Sequence, residues 1–359
     1  VGSLASHYER AGGSVVSVAT GYYAYAVLSS SPLEGVQITF GGCQAFSQYP
    51  GQGSSERNTE LDLLGAIACH FNIRDGQRVF VASQIPIGAG STLWGSLAVS
   101  MIKALAFQCG LDLEPQAVAE LACYIESDTL KMDNGRHAAY AAAFGGLRSV
   151  TFSSGNVLVE PVRLSSATKT SLEKGLMLFS KGDPSVNWIE SPDRGQVLRR
   201  GEVADTQDIE RAKEQALAVR DELEKGNLDA FGQLLHRNWV ELDLTAKADP
   251  FLAQCYHVAL EHGALGGKTT GAGYNGFLLL YCPEERQESL TETLRALDLQ
   301  RWPLVFEDAG VQVMQIVPWS WSNPMSMMSW SQGSAVHGLS PVQSPNRGTA
   351  AGVADYPHP

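Results

Sequence analysis

A chain of 359 residues, 44% of them hydrophobic, is long enough to fold as two domains around a deep cleft. Its formal charge of −12 argues against a nucleic-acid or anionic-membrane surface and leaves room for a local basic pocket that takes phosphate. No apolar run approaches the ~20 residues of a membrane span, and the N-terminus lacks a basic stretch followed by an apolar core, so no membrane partner is expected and the cytoplasm is the expected compartment. The six cysteines, Cys43, Cys69, Cys109, Cys123, Cys255 and Cys282, show no C-x-x-C spacing, which points to free thiols and away from zinc or a disulfide framework.

Residues 1–11 read as the end of something already under way and run into Gly12-Gly13. Ser14 to Leu28, rich in Val, Tyr and Ala, predicts a strand, and Gly35 to Phe40 predicts its partner across a Ser-Ser-Ser-Pro turn. Asn58 to Phe71 places Leu61, Leu64, Ile67 and Ala68 at helical spacing. A strand at Arg78 to Ser83 then enters a loop in which Gly88 and Gly90 permit a sharp turn and close approach of a ligand. Behind it Leu93 to Cys109, apolar almost all round, predicts a helix buried between layers, whose N-terminal N–H groups favour an anion. The loop is not a Walker A motif, since no lysine precedes Lys103, and a tight turn without ligand is the plainer reading of the glycine pair alone.

Leu113 to Ser127 predicts a second helix, and Met132 to Gly135 a loop leading into an alanine-rich helix that Gly145-Gly146 stops. Strands are predicted at Arg148 to Phe152, Val157 to Pro161 and Gly175 to Phe179, with a domain boundary between Leu164 and Glu173. Thr206 to Lys225 and Leu228 to Val240 predict an outer helical hairpin, and Pro250 to Glu261 a further helix. The glycine density of Gly263 to Gly276 marks backbone that is mobile or closely approached, and the strand Phe277 to Cys282 follows. A helix at Glu284 to Leu297 and strands at Leu304 to Glu307 and Val311 to Ile316 complete an α+β unit of ferredoxin-like pattern. From Pro318 onward the composition turns to Trp, Ser, Met, Gly and Pro, which predicts a disordered tail; packing through Trp319, Trp321 and Trp330 is the alternative.

The two glycine loops, the segment Tyr140-Ala141-Ala142-Ala143-Phe144-Gly145-Gly146 and the order of elements together resemble the GHMP small-molecule kinase superfamily, and within it the D-glycero-D-manno-heptose 7-phosphate kinase-like sugar kinases. The likeness is strongest at Gly263 to Leu280 and extends to Gly12 to Tyr25 and His236 to Trp239. It implies a two-lobed α+β fold: a ribosomal-S5-like N-terminal domain over 1–163 with its first strand missing, a ferredoxin-like C-terminal domain over 174–317, and a tail over 318–359. It also implies ATP with Mg²⁺, and a small-molecule sugar or sugar phosphate, between the lobes. By the same resemblance Gly88, Ala89, Gly90, Ser91, Thr92, Gly95 and Ser96 would face the nucleotide. Lys268, Gly271, Ala272, Gly273 and Tyr274 would face the phosphoryl groups and the acceptor; metal ligands are not assigned.

The departures from the family pattern fall where chemistry would occur. Leu93 and Trp94 replace two serines of the family's phosphate loop, and an indole beside a triphosphate requires the loop to move. The family's G-K-Q-D-Q-Y, whose aspartate is the proposed base, is here Gly135-Arg136-His137-Ala138-Ala139-Tyr140, and alanine cannot accept a proton. Ser3 stands where the aspartate of an N-terminal G-G-G-T-D belongs. His137 and Asp133 are the candidate substitutes; equally, the first reads as a hydrogen-bonded loop histidine and the second as a helix cap. Arg136 matches the family's lysine and suits a bidentate phosphate contact, whereas Lys268 also reads as a solvated loop charge.

Two functions remain open on these residues. One is an ATP-dependent kinase acting on the anomeric hydroxyl of a sugar or sugar phosphate. The other is a catalytically degenerate homologue that binds nucleotide, sugar or a protein partner without phosphoryl transfer. The sheet edge that a missing first strand exposes adds a homodimer to the expectations.

Overall fold

The structure is a computed structural model that describes residues 12–41, 45–49, 62–73, 75–84, 91–130, 135–181, 206–241, 250–270 and 277–316. The start of the chain, most of the first glycine loop, the later part of the second and the Trp-rich tail therefore lie outside the described residues.

Alternating apolar residues form three sheets. β1 (Gly13–Val18), β6 (Leu147–Ser153) and β7 (Asn156–Pro161) make the first, in the order β1-β6-β7. β2 (Ala24–Ser30), β3 (Val36–Phe40), β4 (Ala45–Tyr49) and β5 (Gln77–Ser83) make the second, in the order β2-β5-β3-β4. The single strand predicted over Ser14 to Leu28 is thus two strands in different sheets. Its predicted pairing with Gly35 to Phe40 does not form either, because β5 lies between them, antiparallel to β2 and parallel to β3. A period of two identifies a strand's faces and leaves its neighbour open.

α1 (Asp62–His70), α2 (Ser91–Gln108), α3 (Pro115–Tyr124) and α4 (His137–Phe144) pack with the second sheet in one core. α2 is the central helix that its composition predicts: Leu93, Leu97, Ile102 and Leu105 are fully buried, and it touches β2, β5, α3 and α4. α5 (Ser166–Gly175) is capped by Ser165, whose Oγ accepts from the Thr168 N–H at 3.0 Å, and runs straight into β8 (Leu176–Lys181). With β9 (Gly266–Thr270), β10 (Phe277–Tyr281) and β11 (Leu299–Trp302), β8 forms the antiparallel sheet of the second lobe, order β11-β8-β10-β9. α8 (Pro250–Glu261) and α9 (Gln287–Ala296) pack in the core of that lobe.

α6 (Thr206–Lys225) and α7 (Leu228–Glu241) are not the outer hairpin predicted. α6 rests on β1 and α7 on β9, and Val219, Leu223, Phe231 and Leu235 are buried with Val162, Leu172 and Tyr281, so the hairpin is a wedge between lobes. The glycine density near its seat has a local cause. Gly266 and Gly267 belong to β9, a strand where a loop is predicted, and a Cβ on Gly266 would lie 2.0 Å from the Gly232 carbonyl oxygen and 2.6 Å from the His236 nitrogen. The helix backbone lies directly on the strand. Gly266→Ala is expected to cost about 1–3 kcal/mol in urea denaturation, and an unchanged midpoint would show that helix and strand do not touch.

The predicted strands Leu304 to Glu307 and Val311 to Ile316 carry no ladder, apart from one bridge between Thr20 and Phe306; the strand of this region is β11. Residues 304–311 instead form a strap across the first lobe. Gly21 N–H donates to the Val305 carbonyl at 2.9 Å and Glu307 N–H to that of Ala19 at 2.9 Å, which is why the opening strand breaks at Ala19 to Tyr23. Gly146 N–H donates to Glu307 at 2.7 Å and Val311 N–H to Ala143 at 3.2 Å, holding the end of α4. Phe306 N–H is satisfied by Glu173 Oε1 at 2.6 Å, and Lys169 pairs with Asp308 at 2.5 Å. Residues 312–316 fall outside this compact unit, with Met314 and Ile316 exposed.

Candidate functional site

α2 begins at Ser91, so the first glycine loop runs into the positive end of an 18-residue helix. With ~3.6 residues per turn, Thr92 and Ser96 share one face and Leu93, Trp94 and Leu97 the other. Thr92 is exposed, and Ser96 Oγ donates to its carbonyl at 2.8 Å. Leu93 is fully buried and Trp94 is 6% exposed, its indole 5.9 Å from the Phe40 ring. The expectation of an indole beside the phosphates is therefore overturned: the side chain belongs to the core. Gly88, Ala89 and Gly90 lie outside the described residues, and Ser91 is described by its backbone alone.

The first turn of α2 lies against the first turn of α4. A Cβ on Gly95 would come within 2.9 Å of the Ala138 Cβ and 3.1 Å of the Ala139 nitrogen. Ala138, in the position of the family's aspartate, is consequently 6% exposed and faces α2. His137, the first residue of α4, remains partly exposed. Arg136 precedes it, its carbonyl 4.0 Å from Cys123 Sγ. Burial pushes the Cys123 thiol up to about 12; the Arg136 guanidinium opposes that rise, and the Glu126 and Glu120 carboxylates add to it. Arg136 and Glu126 thus flank the end of α3. Glu126, which the sequence reading did not single out, is a carboxylate 8% exposed on a π-helical turn, Ile125–Thr129. Its only sequence signal is an acid inside an apolar run, although π turns concentrate at functional sites.

Lys268 arrives from the other lobe, on β9. Its charge reaches His137, whose imidazole is held down to about 4, first by burial and then by this ammonium. Desolvation lowers the Lys268 ammonium as well, and its side chain is exposed. Its side chain makes no hydrogen bond or ion pair among the described residues. Of the predicted site residues, the structure brings the start of α2 against the start of α4, where Arg136 and His137 lie; Lys268 lies on β9. Asp133, Gly271, Ala272, Gly273 and Tyr274 lie outside the described residues.

Other features take structural roles. His236 Nδ1 is 2.9 Å from the Tyr256 hydroxyl, and Trp239 stacks on Tyr256 with ring centroids 3.9 Å apart. A hollow of about 360 Å³ lies between α5 and β11, but its Glu173, Gln287 and Arg301 already bond to Phe306, Lys174 and Gln287. Among the described residues no three His, Cys, Asp or Glu side chains cluster as metal ligands, and no helix is long and apolar enough to cross a membrane.

The fold is that of a two-lobed α+β protein in which the first turn of α2 lies against the start of α4, which carries Arg136 and His137. The family model described as the GHMP kinases N terminal domain matches residues 61–146, and that described as GHMP kinases C terminal matches residues 219–297. The chain carries both domains of the GHMP kinase family and has its fold. It is 27% identical over 217 residues to the D-glycero-alpha-D-manno-heptose 7-phosphate kinase of Campylobacter jejuni, covering 59% of this chain and 63% of that one. It is 29% identical over 219 residues to the mevalonate kinase of Thermococcus sibiricus, covering 60% and 63%. The matched stretch thus spans less than two thirds of either relative. The crystal structure of a D-glycero-D-manno-heptose 1-phosphate kinase from Bacteriodes thetaiotaomicron superposes with a TM-score of 0.68 at 21% identity, covering 86% of this chain and 92% of that one, a likeness of fold.

Proposed function

We propose that the chain is an ATP-dependent kinase that transfers a phosphoryl group to the anomeric hydroxyl of a sugar or sugar phosphate. The observation that carries this reading is the packing of the first turn of α2 on the start of α4, with Arg136 and His137, in a GHMP fold. Phosphoryl transfer asks for positioning and charge neutralisation more than for covalent chemistry. The first N–H groups of α2 and the Lys268 ammonium would hold phosphate oxygens, and Arg136 offers a bidentate donor. A Mg²⁺ ion would neutralise phosphate charge at this site, and the buried Glu126, which shares the surroundings of Cys123 with Arg136, would be the carboxylate to hold it.

The second reading, a degenerate homologue that binds without turnover, draws support from Ala138, which leaves α4 without a carboxylate at the family's catalytic position. Thermal unfolding with and without millimolar Mg·ATP tests the nucleotide part of both. At about a hundred times its dissociation constant, nucleotide is expected to stabilise the folded state by ~2.7 kcal/mol, and acceptor sugars and sugar phosphates are then screened for ADP release. No rise in melting temperature, with no ADP release, would remove the kinase reading.

A further inference from the structure

We propose that the chain forms a two-fold dimer in which β2 of one copy pairs antiparallel with β2 of a second, joining two four-stranded sheets into one. This pairing does not depend on the kinase reading.

β2 is the open edge of its sheet, in the order β2-β5-β3-β4. Which of its backbone groups face outward follows from two bonds beyond its ends. Gln84 N–H donates to the Tyr23 carbonyl at 3.0 Å, and Ser31 N–H to the Gly76 carbonyl at 2.8 Å. Odd-numbered residues of this stretch therefore bond to β5, and alternation turns the N–H and C=O groups of Ala24, Ala26 and Leu28 to the open side. On that side a described residue reaches only the Ala24 carbonyl, from Ser100 Oγ at 3.3 Å. Sheets that stay unpaired guard such an edge with lysine, proline or a bulge. β2 reads Ala-Tyr-Ala-Val-Leu-Ser-Ser and has none of these, and its ladder with β5 runs unbroken from Ala24 to Ser30.

The strand is complementary to itself. With Ala26 on the two-fold axis, Ala24 meets Leu28 of the second copy on the face that packs on the core, small against large. On the outer face Tyr25 meets Val27 of the second copy, an aromatic opposite a β-branched residue. Tyr25 and Val27 are 44% and 50% exposed, and Phe80, opposite Val27 on β5, is exposed too, so the pairing covers apolar surface that otherwise meets water. α2, the helix under β2, borders the edge with Ser100 and, one turn earlier, Ser96; these are small enough for a second α2 to lie about 8–10 Å away. No charge on β2 opposes the contact. A pair of like edges also closes on itself, whereas joining β2 to the far edge, β4, would run on as a filament.

The test is sedimentation equilibrium of the full chain from about 1 to about 200 µM, with residue-resolved amide exchange on the same samples. The 38.6 kDa chain is expected to pass to a dimer as concentration rises, and further so in about 0.5 M salt, which screens the formal charge of −12 on each copy. The Ala26 and Leu28 amides should slow as the dimer fills, whereas those of Tyr25 and Val27, bonded to β5, should be slow throughout. Ala26→Pro removes both bonds at the axis and none of the ladder to β5, and Val27→Glu sets a carboxylate against Tyr25 of the second copy. Each should weaken association by about tenfold or more, and Val27→Glu, at an exposed position, should leave the urea midpoint of the monomer nearly unchanged. A chain that stays monomeric throughout overturns the pairing. A dimer that survives both substitutions forms elsewhere and overturns it as well. Slow exchange at Ala26 and Leu28 in the monomer would assign the edge to another segment of this chain, and assemblies larger than a dimer would assign it to β4; either overturns the two-fold pair.

Discussion

Trp94→Ala is expected to destabilise the protein by about 3–5 kcal/mol, the range for removing a large aromatic from a packed core. The indole is 6% exposed and lies against Phe40, which is itself 1% exposed, in the core that also holds Leu93 and Leu97. Alanine would leave a cavity that α2 and β3 close only in part. Because the side chain points away from the start of α2, the same substitution should leave the Mg·ATP dissociation constant within about twofold, measured by calorimetry well below the melting transition. An indole lining the phosphate site would give the opposite pair of results: a stability change within about 0.5 kcal/mol, as for surface substitutions, and a large change in nucleotide affinity. Urea denaturation and one binding isotherm separate the two.

Trp94 also shows what could be read from the sequence. The helix was legible, because Leu93 to Cys109 is apolar nearly all round and such a helix has to be buried. That same uniformity hid which side of the first turn meets the loop, since an apolar pattern without a polar face carries no phase. Trp94 therefore reads equally as a core residue or as an obstruction in the phosphate loop. The strap was illegible for a different reason. Residues 304–311 are held by hydrogen bonds to Ala19, Gly21, Ala143, Gly146 and Glu173, distant in the chain, and no local periodicity records such partners. Gly266 was legible as closely approached backbone, and its partner, the Gly232 turn of α7, was not. The same limit governs the site: Gly95 and Ala138 are each ordinary in sequence, and only the packing of α2 on α4 shows that residue 138 is closed off. Glu126 was missed because a π turn has no sequence period of its own.

Ala138→Asp, the substitution that restores the family's carboxylate, is expected to cost about 3 kcal/mol at pH 7. The site is 6% exposed, and its Cβ faces Gly95 across a contact with no room for a second Cβ. A carboxylate there loses water and gains helix backbone, so desolvation raises its folded pKa above the unfolded value of ~3.9. The sign follows from proton counts. Between the unfolded and the folded pKa the native state holds the extra proton, so stability falls as pH rises through that window and levels off above it. The penalty should be small near pH 4 and full at neutral pH, measured as the urea midpoint across that range. If the new side chain turned instead toward Arg136, that cation would depress its pKa. Stability would then rise with pH, and turnover would rise with it. The expected sign means that one substitution cannot rebuild the lost carboxylate while Gly95 and Ala138 remain in contact. On the kinase reading, a proton acceptor compatible with that contact lies elsewhere than at residue 138.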